Sequence, residues 1–264
     1  MGERKLIMKI DINLLIKIIK EASCILKDES FITDVYSKGV ADFVTQADYK
    51  IQAFIKNKLN ESYPTIQFMG EENNEQEVDI TKPYWVLDPV DGTTNLIHNY
   101  KFSAISIALI ENKEVVLGIV YQPYLDEVFY AIKNEGAFLN GKRIYVSNNN
   151  KLSNSLISIG TSPYNKEEAE GNFNIFKKVF MECQDIRRSG SAALDIVYSA
   201  CGRIEGYFEK NVKLWDYAAG SIIVKEAGGK IVDFYGNEIN NQLNINLVSG
   251  QKDVVDELVS KYLK

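Results

Sequence analysis

Residues 84–98 read Tyr-Trp-Val-Leu-Asp-Pro-Val-Asp-Gly-Thr-Thr-Asn-Leu-Ile-His and hold two closely spaced carboxylates, Asp88 and Asp91. Tyr84 to Leu87 is short, apolar and rich in strand formers, which predicts a buried strand. Pro89 ends it in this reading. The ring biases Asp88 away from helical backbone and leaves it at the carboxyl end of the strand. Gly92 permits a tight turn. Thr93, Thr94 and Asn95 suit a helix N-cap. The order is strand, carboxylate, turn, carboxylate, helix start. Two carboxylates beside free backbone N–H groups can hold a cation and a phosphate together. Asp-Pro and Asp-Gly are also common turn dipeptides, so either aspartate alone can be a turn cap.

Other acidic groups stand at the ends of predicted elements. Asp48 opens a predicted helix in which Ile51, Phe54, Ile55 and Leu59 share one face, and it can serve as the N-cap. Glu71 and Glu72 follow a short predicted strand, Ile66 to Met69, and in isolation read as surface charge. Asp216 precedes a predicted helix over 217–227 and can cap it. Glu209 ends a predicted strand that begins at Ile204, where a surface glutamate is also plausible. Gly190 to Ala193 is a run of small residues where a helix is predicted from Ser191 to Gly202.

The stretch W-V-L-D-P-V-D-G-T-T-N resembles the central motif of the inositol monophosphatase family. That family belongs to the Mg²⁺-dependent, lithium-sensitive phosphatases, with fructose-1,6-bisphosphatases and 3′-phosphonucleotide phosphatases. Four other stretches resemble family elements in the family's order. Lys38 to Asp48 is similar to K-x-x-x-D-L-V-T-x-x-D, with Phe43 in place of the usual Leu. Gly70-Glu71-Glu72 resembles the Gly-Glu-Glu element, Gly190 to Ala193 the G-[ST]-A-A element, and Trp215-Asp216 the W-D-x-A-[AG]-G signature.

The resemblance implies residue roles. Glu71, Asp88 and the carbonyl of Val90 would hold a first Mg²⁺. Asp88, Asp91 and Asp216 would hold a second, and a weaker third site would use Glu71 and waters. Thr93, supported by Asp48, would position the attacking water. The N–H groups of Gly92 and Thr93 would grip the phosphate. Gly190, Ser191, Ala192 and Glu209 would meet the substrate beside Asp91 and Asp216. The implied reaction is hydrolysis of inositol monophosphate or a similar polyol or sugar phosphate, with no covalent phosphoenzyme. Asn95 favours this branch, since the nucleotidase branch more often reads D-G-T-K-E there. A fructose-1,6-bisphosphatase is the nearest alternative. A non-catalytic binding protein on the same fold is the alternative of another class. The family also implies a homodimer and a layered αβαβα sandwich, in the α+β or α/β class.

Physical chemistry supports such a cluster only with cations. Each like-charged pair about 4 Å apart costs roughly 4 kcal/mol at an effective dielectric near 20. Four converging carboxylates would therefore be unstable or protonated alone, and two divalent ions balance them. All-oxygen ligands suit Mg²⁺ better than Zn²⁺. Two metals about 3.5–4 Å apart can hold both ends of an in-line phosphoryl displacement.

The chain has 264 residues, 45% apolar and 25% charged, with a net charge of −6. That length can bury a large core in one domain or two closely packed ones. The negative balance argues against a non-specific nucleic-acid binder. Cys24, Cys183 and Cys201 have no metal-like spacing and read as small core residues of a reduced, cytoplasmic protein. His98 is the one histidine, so a multi-histidine metal site is excluded. Lys17 and Lys20 interrupt the N-terminal apolar residues, Met1-Gly2 lacks a myristoylation context, and no apolar run reaches transmembrane length.

The remaining pattern predicts an amphipathic helix from Asp11 to Lys27, a polar loop from Asp28 to Val40, and a polar stretch from Asn74 to Thr81. Ser103–Ile110, Val115–Gln122 and Val128–Lys133 read as strands of an antiparallel meander with tight turns at Asn134-Glu135-Gly136 and Asn140-Gly141. A linker near 147–151 would divide the chain into a domain of residues 1–146, holding most metal ligands, and one of residues 147–264. The second half alternates strands (156–160, 204–209, 230–234, 245–249) with helices (173–181, 191–202, 217–227, 252–263), which implies a mostly α/β unit.

Overall fold

Tyr84 and Val86 enter one hydrophobic core, while Trp85 and Leu87 enter another. Side chains alternate faces along a strand, so this run must be covered on both sides. The computed structural model describes residues 10–28, 35–39, 42–72 and 78–263. The expectations for Met1-Gly2, for residues 29–34 of the polar loop, for Val40-Ala41 of the first motif and for 74–77 lie outside the described residues.

The covered strand is β4 (Tyr84–Asp91), in a seven-stranded sheet. Its order follows the chain: β3 (Gln67–Gly70), β4, β5 (Ala104–Glu111), β6 (Glu114–Gln122), β7 (Glu127–Ile132), β8 (Gly136–Leu139) and β9 (Lys142–Arg143). β3 pairs parallel with β4, and the rest is the expected antiparallel meander. Helices α1 (Ile12–Ser23) and α2 (Gln46–Ser62) bury Leu15, Ile19, Ile51, Ile55 and Leu59 against the face that carries Trp85 and Leu87.

The chain also forms β1 (Val35–Gly39), β2 (Asp42–Thr45), α3 (Thr93–Ile97), β10 (Leu156–Ile159), α4 (Ala169–Phe180) and β11 (Asp185–Arg187). It closes with α5 (Ala192–Ala200), β12 (Gly206–Lys213), α6 (Leu214–Glu226), β13 (Lys230–Asp233), β14 (Asn244–Gly250) and α7 (Lys252–Leu258). A five-stranded sheet has the order β11-β10-β12-β14-β13 and mixes parallel with antiparallel pairs. α5 and α6 lie between the sheets, where Leu194, Ile196, Tyr217 and Ile223 share a core with Tyr84, Val86, Tyr207 and Leu247. α4 and α7 cover the outer face through Phe176, Val179, Val254 and Leu258. The layers are helix, sheet, helix, sheet, helix, as the family resemblance implies.

Several boundaries differ from expectation. β1 forms where a polar loop is expected and pairs with β2; Val35 and Tyr36 stay exposed, so no buried face marks the strand in the sequence. β4 does not stop at Pro89. Its register with β5 shifts between Asp88 and Asp91, so the proline, which has no N–H, falls where the ladder is already interrupted. β12 runs on to Lys213 past another register shift, where Asn211 adopts φ +58°. α6 starts at Leu214, so Asp216 lies inside its first turn.

Candidate active site

The irregularity in β4 turns both of its aspartates toward the gap between the sheets. One carboxylate oxygen each from Asp88, Asp91 and Asp216 lies within 4.8 Å of the others. This is the one group of three or more potential ligands found among the described residues. Asp216 arrives on α6, whose start is fixed to β5 by the Ser106 hydroxyl donating to the Trp215 carbonyl at 3.1 Å. Its Oδ2 accepts from the Lys213 N–H at 3.0 Å, so it also caps the helix. Asp88 Oδ1 accepts from the Val90 N–H at 2.9 Å. Asp91 Oδ2 accepts from the Ala193 N–H at 2.9 Å and from the Ser191 hydroxyl. Backbone and hydroxyl donors thus aim all three carboxylates.

Glu71 follows β3, and its N–H donates to the Leu87 carbonyl at 3.0 Å. Its carboxyl hydrogen-bonds that of Asp88, which places a fourth acid at the side of the cluster. The charges are frustrated without a counterion. Burial first, then the charges of Glu71, Asp91 and Asp216, push the Asp88 carboxyl well above its ordinary range. Burial, Asp91 and Glu71 do the same to Asp216. Burial raises Asp91 to about 6, against the opposing Ser191 and Ala193 hydrogen bonds. A buried, all-oxygen donor set that resists carrying its own charge fits hard divalent cations.

Asp48 is buried, with Oδ2 accepting from the Thr45 N–H at 2.8 Å and the Thr45 hydroxyl at 2.6 Å. Thr45, not Asp48, is the N-cap of α2, and Asp48 is its reciprocal partner in a capping box. The Thr45-Gln46-Ala47-Asp48 spacing carries that signal in the sequence. Asp48 Oδ1 is thereby left facing the Thr93 hydroxyl at 3.2 Å, which also lies 3.0 Å from the Val90 carbonyl. Gly92 is the N-cap of α3 at φ +89°. A Cβ there would stand 3.1 Å from the Phe102 carbonyl and 3.2 Å from that of Gly190, so only glycine fits without strain. The threonines and Asn95 do not cap. Asn95 instead donates its amide to the carbonyls of Phe102 at 2.7 Å and Ser189 at 2.9 Å.

A cleft opens beside the cluster, lined by Glu71, Asp88, Val90, Asp91, Gly92, Thr93, Gly190, Ser191, Ala192, Glu209 and Asp216. Every residue expected at the site except Asp48 therefore faces one cavity, and Asp48 reaches it through Thr93. Ser191 caps α5 and has its hydroxyl committed to Asp91, so it orients a carboxylate and is not free for a ligand. Glu209 Oε2 accepts from the Tyr207 hydroxyl at 2.6 Å and Oε1 from the Ser162 N–H at 2.9 Å.

The lining also includes Tyr164 and Asp195, which no sequence pattern marks, and Arg188, which by sequence reads with Arg187 as solvated surface. Asp195 is buried, accepts from the Ser189 hydroxyl at 2.6 Å, and is raised by burial to about 8. Arg188 donates to the Thr161 hydroxyl at 3.2 Å at the rim, whereas Arg187 pairs outward with Asp185. The place of Arg188 two residues before the Gly190 turn is its one local signal. His98 is exposed.

The model of the inositol monophosphatase family matches residues 3–263. The Escherichia coli (strain K12) Nus factor SuhB is 40% identical over 223 residues, 84% of this chain and 83% of that protein. The inositol-1-monophosphatase of Rhizobium meliloti (strain 1021) is 40% identical over 200 residues, 75% of each chain. The solved structure of a Thermotoga maritima IMPase superposes with a TM-score of 0.84 at 34% identity, covering 93% of both chains.

Proposed function

Since the chain belongs to the inositol monophosphatase family, we propose that it is a Mg²⁺-dependent phosphomonoesterase acting on inositol monophosphate or a similar polyol or sugar phosphate. The meeting of Asp88 and Asp91 with the distant Asp216 is the observation that carries this reading. Glu71, Asp88 and the Val90 carbonyl would hold one ion; Asp88, Asp91 and Asp216 would hold a second. When bound, the ions supply Lewis-acid charge and lower the pKa of coordinated water.

The chain's own groups do the rest. The Thr93 hydroxyl, facing Asp48, orients the attacking water and passes its proton toward the buried carboxylate. Gly92 and Thr93 present their N–H groups to the phosphate. Gly190, Ala192 and Glu209 wall the side where the alcohol sits. Glu209, fixed by Tyr207 and Ser162, accepts from a substrate hydroxyl. Gly190, at φ +90°, lets the backbone come close. A cytoplasmic homodimer belongs to the same reading. No described helix is long and apolar enough to cross a membrane.

Phosphate release from a panel of esters, with Mg²⁺ and with EDTA, tests the proposal. The expected result is Mg²⁺-dependent hydrolysis of inositol monophosphate. Far faster turnover of fructose-1,6-bisphosphate would move the substrate to the sugar branch. The Escherichia coli relative's name, Nus factor, favours a second reading, a non-catalytic binding role on the same fold. An Asp88→Asn protein separates the two, because it should lose hydrolysis while a binding role would survive.

A further inference from the structure

Asp48 and Gln52 are one turn apart on α2, so they project from the same face. Asp48 faces Thr93, and Gln52 reaches the other side of the site. The Gln52 amide clasps the backbone of one residue twice: its Oε1 accepts from the Glu72 N–H at 3.0 Å, and its Nε2 donates to the Glu72 carbonyl. The Glu72 N–H belongs to the peptide that joins it to Glu71. The preceding residue, Gly70, is buried, and a Cβ there would overlap the Gln52 amide. The glycine is the space in which the clasp lies. Two independent features, a two-point hydrogen bond and a missing Cβ, thus fit one side chain against the backbone that carries Glu71.

We propose that Gln52 is a positioning residue that fixes the Glu71 carboxylate for cation binding, making α2 the element that sets both the Thr93 and the Glu71 sides of the site. This rests on the reading of Glu71 as a metal ligand. A glutamate free to swing after β3 would have to be ordered at each binding event. The clasp removes that cost beforehand, as partners of ligands do elsewhere.

The test uses the full chain with Gln52→Ala, Gly70→Ala and Gln52→Glu, the last keeping the acceptor but losing the donor. Mg²⁺ affinity is read by calorimetric titration, and melting temperature is followed in EDTA. The affinity of Gln52→Ala should fall roughly 10-fold. Gly70→Ala should behave alike, and Gln52→Glu should lie between Gln52→Ala and wild type. Melting in EDTA should stay within a few degrees of wild type, which separates positioning from loss of fold. The half-saturating Mg²⁺ for phosphate release should rise in parallel, with kcat recovering at high Mg²⁺. Unchanged Mg²⁺ affinity in the variants, with a wild type that binds, overturns this inference alone. A wild type that binds no Mg²⁺ overturns the metal-site reading as well. Should Gln52→Ala fail to fold, Gln52→Glu decides.

Discussion

Asp88→Asn should make the metal-free protein more stable while removing its response to Mg²⁺. Asp88 has Asp91 and Asp216 oxygens within 4.8 Å, and a like-charged pair at that distance costs ~3.5 kcal/mol at an effective dielectric near 20. Two such pairs, if both stayed fully charged, would cost about 7 kcal/mol. Proton uptake discharges much of it, since burial and the neighbouring charges already hold the Asp88 carboxyl well above its usual range. At pH 8 in EDTA a net gain of about 1–3 kcal/mol is expected, a rise in melting temperature on the order of 5 °C. Asparagine keeps an oxygen for the Val90 N–H, so no buried donor is orphaned. Wild type should gain about 2.7 kcal/mol at Mg²⁺ one hundred times its dissociation constant, and the variant almost nothing. Thermal melts of both proteins in EDTA and in Mg²⁺ measure all four states. A variant that melts below wild type in EDTA, or rises equally with Mg²⁺, refutes the reasoning.

Three further outcomes follow from other residues. Asp91 at about 6 and Asp195 at about 8 are raised above the unfolded value of 3.8, so each adds stability at low pH that disappears as pH rises through its folded value. Metal-free protein should therefore lose stability from about pH 4 to about pH 8 in melts, and Asp195→Asn should flatten the part of that loss above about pH 6. Thr93→Ala should lower kcat about 100-fold with KM little changed, and adding Asp48→Asn should cost less than it does alone, because both act on one water. Gly160→Ala would drive a Cβ into the Glu209 carboxylate, so KM for inositol monophosphate should rise about 10-fold while p-nitrophenyl phosphate turnover stays near wild type.

Local chemistry made part of this site legible. Asp88, Asp91, Gly92 and Thr93 lie close together along the chain, at the end of β4 and the start of α3, where a proline interrupts the ladder and a glycine allows the positive φ. Asp216 carries no such mark. It reads as a helix cap, which it also is, and only the family resemblance joins it to Asp88. The outer helices α1 and α4 show a one-sided apolar stripe, whereas α6 is buried on nearly every side and loses its period between two sheets. β1 is missed for the opposite reason, since no face of it is buried. Asp195 leaves no local signal of the cleft, and Arg188 only its place just before the Gly190 turn, because the wall they join is made by the approach of two sheets.

Everything proposed for this protein requires that Glu71, Asp88, Asp91 and Asp216 together bind divalent cations. Anomalous diffraction from crystals soaked in Mn²⁺, which can replace Mg²⁺ among oxygen ligands, tests it most directly. Strong peaks are expected among Asp88, Asp91, Asp216 and Glu71. Empty density there, with Mn²⁺ absent or bound elsewhere on the chain, would contradict it.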